Sequence, residues 1–83
     1  MQAEDLWQRT KTILRTRMSP PSFETWVKPS RAIAIDLGDQ ILTVETPNDF
    51  ARDWITKNLP DVHHALNEAG GAGLRVSLRT ASL

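Results

Sequence analysis

A chain of 83 residues with 40% apolar and 24% charged side chains, no cysteine and a formal net charge of zero describes one small folded domain, which buries roughly 60–65% of the surface its unfolded form exposes. The lack of cysteine excludes disulfides and Cys-ligated metal and suits a cytoplasmic address, and no apolar run reaches the ~18–20 residues of a membrane span. Zero net charge argues against a dedicated nucleic-acid binder that works by neutralising phosphates, and the polar, acidic residues 1–5 do not resemble a signal peptide.

Residues 5–18 carry a helical pattern. Leu6, Thr10, Ile13, Leu14 and Arg17 share a stripe with Trp7 and Met18 along its edge. Glu4 and Asp5 at the start and Arg15 and Arg17 at the end suit the helix dipole. Ser19-Pro20-Pro21 stops this helix. Phe23, Trp26 and Val27 then sit at i, i+3 and i+4, which predicts a short aromatic helix with Ser22 as its N-cap and Pro29 as its limit. A helix so short is unstable alone, so its aromatic face must dock on the rest of the domain.

After Pro29 the period changes to two. Ala32, Ala34 and Asp36 alternate with Ile33, Ile35 and Leu37, Gly38-Asp39 marks a turn, and residues 41–45 form a second strand of an antiparallel hairpin. Thr46-Pro47 ends that strand, and Asn48 is the expected N-cap of a helix whose face is Phe50, Ala51, Trp54 and Ile55. Pro60 imposes a break near Leu59, after which Val62, Ala65, Leu66 and Ala69 continue the stripe. Residues 70–73, Gly-Gly-Ala-Gly, terminate the helix, and residues 74–79 alternate as a third strand, apolar on one side and basic on the other. The order α-α-β-β-α-β gives a compact α+β domain with helices packed on a three-stranded sheet, spanning residues 1–79, with 80–83 a frayed end or the start of a linker.

Catalysis has no foothold. His63 and His64 are adjacent and point about 100° apart on a helix, which does not suit a shared metal. No serine lies in a nucleophile-elbow context, and the carboxylates are scattered. The chain is therefore expected to be non-enzymatic and to need no cofactor. Residues 70–73 fit the letters of a KH-type Gly-x-x-Gly loop, but lie between a helix and the last strand, where a helix cap accounts for them. Trp26 and Trp54, mid-stripe, are expected in the core. Trp7, at the margin of its stripe, and Phe50, in a first helical turn beside Pro47, are divided between core and contact surface, since aromatics are enriched at interaction hot spots.

Leu6-Trp7 opening the first helix, Ser22-Phe23-x-x-Trp26-Val27-Lys28-Pro29, and Pro47-Asn48-x-Phe50-x-x-Asp53-Trp54-Ile55, in this order and spacing, resemble the N-terminal domain family of the bacterial replication initiator DnaA. The resemblance covers residues 6–76. It implies a KH-like α+β fold that works by protein contacts: weak self-association at the origin, recruitment of the replicative helicase, and binding of lineage-specific initiation regulators. It implies that Trp7, with Leu6, supports self-association, so that Trp7→Ala weakens dimerisation and leaves the fold intact. Phe50 takes the place of a helicase-contacting phenylalanine. Some relatives carry an acidic contact residue immediately before the short helix's phenylalanine. Ser22 stands there, with Glu24 two positions on, and both are candidate partner contacts. The ATPase and duplex-DNA-reading domains are expected elsewhere in a longer protein. The alternative function is a KH-like module binding single-stranded nucleic acid through Arg75, Arg79 and the basic first helix. Neutral charge makes such DNA binding weak at best, and no membrane partner is expected.

Overall fold

The computed structural model describes residues 2–81. Helix α1 (Ala3–Arg17) buries Leu6, Trp7, Thr10, Lys11 and Leu14. The stripe is thus rotated from the expected one: it runs from Leu6 on one margin to Lys11 on the other, with Trp7 inside it and Arg17 exposed. The cause is that α1 is covered on two sides, by the later helices and by β1 with the turn that leads into it. Met18 is extended and Ser19 starts α2 (Pro20–Ser22), with Pro20 at the first helical position, where its missing N–H costs nothing. Ser19, not Ser22, is therefore the N-cap. Its carbonyl accepts from the Phe23 N–H at 3.1 Å. The chain runs directly from α2 into a π-helical turn, Phe23–Val27, that buries Phe23 and Val27.

Strands β1 (Arg31–Asp36) and β2 (Ile41–Thr46) pair antiparallel, and β3 (Arg75–Thr80) joins β2 in parallel, giving the order β1-β2-β3. The α+β architecture read from the sequence is therefore present, as a mixed three-stranded sheet. Simple alternation fails in β1. Ala32 pairs with Val44 and Ala34 with Thr43, so Ile33 is an extra, bulged residue, and the inward side passes from Ala32 to Ile35. Leu42, Val44 and Thr46 of β2 face the helices, as do Val76 and Leu78 of β3. The opposite face of the sheet is open. There Arg31 and Arg79 flank Glu45, at 3.1 and 3.9 Å.

Between β2 and β3 the chain forms α3 (Asp49–Lys57) and α4 (Leu59–Leu66), separated at Asn58 (φ −111°, ψ 17°), the break that Pro60 imposes. A second π turn, Asn67–Gly71, follows and is kinked within by Gly70 at φ 107°. A Cβ on Gly71 would meet Leu66 at 2.7 Å and Leu6 at 3.2 Å, so the glycine stretch is packed against α1. Thr80 is the last residue of β3, and the Ala81 N–H donates to Thr46 O at 2.8 Å. Of the stretch expected as a frayed end or the start of a linker, Thr80 and Ala81 thus continue the pairing with β2, and residues 82–83 lie outside the described residues. Among the described residues no helix is long and apolar enough to cross a membrane.

Candidate docking face

Helix α3 begins where β2 must stop at Pro47. Asn48 is extended, and its Oδ1 accepts from the Ala51 N–H at 2.8 Å, which caps the helix as expected. With the first turn fixed in this way, Ala51 and Ile55 point into the core. Phe50, one residue earlier, is left on the surface with 76% of its area exposed. One turn on, at i+4 from Phe50, Trp54 is half-buried and stacks on Trp26 of the π turn, with ring centroids 6.2 Å apart and planes inclined at 14°. Trp26 is half-buried too. The expectation that both indoles lie inside the core is corrected: they close over its edge and present aromatic surface to solvent. Neither position differs in sequence spacing from a core position, and only their pairing across two elements makes the face.

Beside the stack lies a cleft of about 230 Å³ lined by Leu14, Arg17, Met18, Ser22, Trp54, Asn58 and Asp61. Its lining mixes the apolar Leu14, Met18 and Trp54 with the polar side chains of Arg17, Ser22, Asn58 and Asp61. Asn58 is held there by a bond from its Nδ2 to Trp54 O at 2.8 Å, and Arg17 is paired with Glu68. Of these lining residues only Ser22 was marked by the sequence. A larger hollow of about 280 Å³ sits against β2 and β3, at Ile41, Arg75, Val76 and Ser77, and carries no aromatic side chain.

The sequence-derived contact residues divide sharply. Phe50 is exposed, Ser22 lies half-buried on the cleft wall, and Glu24 is on the surface of the π turn in an i, i+4 pair with Lys28 at 3.0 Å. Leu6 and Trp7 are not on the surface at all, being 1% and 0% exposed. Trp7 donates from Nε1 to Ser30 Oγ at 3.0 Å. The reading of Trp7 and Leu6 as residues that touch a second copy is therefore corrected: in the folded domain neither has surface to offer. Trp7 sits at the margin of the expected stripe only because Lys11, a charged residue, was not counted as buried.

Other candidates resolve into structure. His63 Nε2 accepts from the Val76 N–H at 3.2 Å, tying α4 to the outer edge of β3, whereas His64 is exposed near Glu68. His63 is thus half-buried and partnered, not a freely solvated helix residue. Among the described residues no three His, Cys, Asp or Glu side chains gather into a metal site. Of the two arginines on the last strand, Arg79 is shared with Glu45, and Arg75 has no carboxylate partner among the described residues.

The model of the DnaA N-terminal domain matches residues 4–68, which include α1, the aromatic turn, the hairpin, α3 and α4. The chain belongs to the DnaA N-terminal domain family. It is also similar to the chromosomal replication initiator protein DnaA of Synechocystis sp., with 35% identity over 81 residues. That match covers 96% of this chain and 18% of the relative, so the chain spans about a fifth of the relative's length. Within this DnaA N-terminal domain, the three sequence blocks that carry the family resemblance have distinct physical duties. Leu6-Trp7 is core, the block at residues 22–29 is divided between core and the half-buried aromatic surface of Trp26, and the block at residues 47–55 caps α3 and displays Phe50.

Proposed function

We propose that this domain is a non-enzymatic protein-interaction module of a replication initiator, which uses the Phe50–Trp54–Trp26 face and the adjoining cleft to engage the replicative helicase and initiation regulators in the cytoplasm. The observation that carries the reading is Phe50. A large aromatic side chain, 76% exposed, stands on the capped first turn of a rigid helix, one turn from a stacked tryptophan pair. Leaving such a ring in water forgoes its burial, and aromatic anchors on rigid elements are what interaction hot spots are made of. Ser22 on the cleft wall and Glu24 on the neighbouring turn supply polar rim contacts.

Weak self-association belongs to the same reading, but through exposed side chains and not through Leu6 or Trp7. No cofactor is needed for any of these contacts. Single-stranded DNA is at most a weak ligand, because the net charge is zero and, of the arginines on the open sheet, Arg31 and Arg79 are both engaged by Glu45.

The test is the affinity of the domain for purified replicative helicase, compared with that of Phe50→Ala. A hot-spot truncation costs about 2 kcal/mol, or roughly 30-fold in Kd, and the melting temperature should be unchanged because the ring packs against little. Equal affinity in the two proteins would contradict the assignment of Phe50.

A further inference from the structure

The turn that carries Trp26 is held in an uncommon register. Phe23 O accepts from the Lys28 N–H at 2.9 Å, a five-residue step that widens the helix by one residue. Such π turns are rare, and they frequently mark functional sites. Here the far end of the turn is gripped from α1. Lys11 Nζ donates to Ser30 O at 3.0 Å and to Lys28 O at 3.3 Å. Trp7 Nε1 donates to Ser30 Oγ, which in turn donates to Val27 O. Three carbonyls at the C-terminal end of the turn are thereby satisfied, where a cation also suits the helix dipole. Trp7, Ser30 and Lys11 are 0%, 2% and 7% exposed. None can touch a partner, so any effect they have on docking must be exerted through position.

A lysine at this buried stripe position is costly, since an apolar residue would fill the space without desolvating an ammonium group. We propose that Lys11, backed by Trp7 and Ser30, is the positioning residue of the docking face: it holds the Phe23–Val27 turn in its wide register and so fixes Trp26 against Trp54. Phe23 and Val27 anchor the turn in the core on either side of Trp26. A slip to the ordinary four-residue register rotates Trp26 relative to those anchors and away from its stack. The geometric claim stands alone, and its consequence for binding rests on the docking-face reading above.

The experiment compares Lys11→Met, which keeps the apolar stem and removes the donor, with Val62→Ala, a destabilising change at a buried position of α4. Backbone amide exchange at Lys28, the indole signals of Trp26 and Trp54 by NMR, and affinity for purified replicative helicase are measured on each. In Lys11→Met the Lys28 amide should exchange about tenfold faster through local opening, the two indole signals should move, and helicase affinity should fall. Val62→Ala should lower the melting temperature and leave the indole signals and helicase affinity in place. If Lys11→Met fails to fold, Lys11→Leu, which likewise removes the donor to Lys28 O and Ser30 O and keeps an apolar stem, takes its place with the same expected signature. An unchanged Lys28 amide and unmoved indoles in a folded variant would overturn the positioning role. Unchanged binding in Lys11→Met where Phe50→Ala binds weakly would overturn its link to docking. Moved indoles with binding equal to wild type in both variants would uphold the positioning role and sink the docking-face reading.

Discussion

Trp7 and Lys11 are one helical turn apart on α1 and do opposite things to stability. Trp7 is wholly buried with its one polar atom satisfied, so truncation to Ala should cost about 3–5 kcal/mol, much of what a domain of this size has. Trp7→Phe keeps most of the apolar contact and loses the bond to Ser30, and roughly 1–3 kcal/mol is expected from denaturant unfolding. Lost self-association in a Trp7→Ala protein would therefore report on folding, and circular dichroism at the assay temperature tells the two apart. Lys11 has its pKa lowered from 10.5, chiefly by desolvation, with Glu4 acting weakly in the opposite direction. A lysine whose folded pKa lies below its unfolded one binds fewer protons when folded, so stability rises with pH between the two values. The neutral amine still has two N–H groups for its two carbonyls. The stability of the wild type relative to Lys11→Met should thus increase as pH climbs towards 10.5, and chemical denaturation across that range checks the sign.

At the level of elements, α3 depends on its cap. Asn48→Ala removes the acceptor for the Ala51 N–H and should cost about 1 kcal/mol, or roughly 4–8 °C in Tm, while loosening the turn that displays Phe50. This cap was legible in the sequence because Pro47-Asn48-Asp49 is a local signal, and so was the α3–α4 break, because Pro60 forbids a continuous helix. The bulge at Ile33 was not, since Ala-Ile-Ala-Ile reads equally well with either set inward, and the choice is made by pairing with β2. The π turn was hidden for a related reason. Phe23, Trp26 and Val27 fit an ordinary helix, and the residue that grips the turn lies 17 positions away in α1. Phe50 and Ser22 could be named as candidate contacts in advance, whereas the cleft itself, which needs α1, α2, α3 and α4 together, could not.

For the whole molecule, the helices cover one face of the sheet and gather the exposed aromatic surface on one side, around α3 and the π turn. The open face of the sheet carries charge instead, with Glu45 between Arg31 and Arg79, and Arg75 nearby without a carboxylate partner among the described residues. These two surfaces make different predictions about where a partner sits. The most direct measurement is a titration of isotope-labelled domain with purified replicative helicase, followed by amide and indole NMR signals. The perturbed signals should cluster at Ser22, Trp26, Phe50, Trp54 and Asp61, while those of Arg31, Thr43, Arg75 and Ser77 on the open sheet stay in place. Perturbations centred on those sheet residues, with Phe50 and Trp54 unmoved, would contradict the docking-face reading.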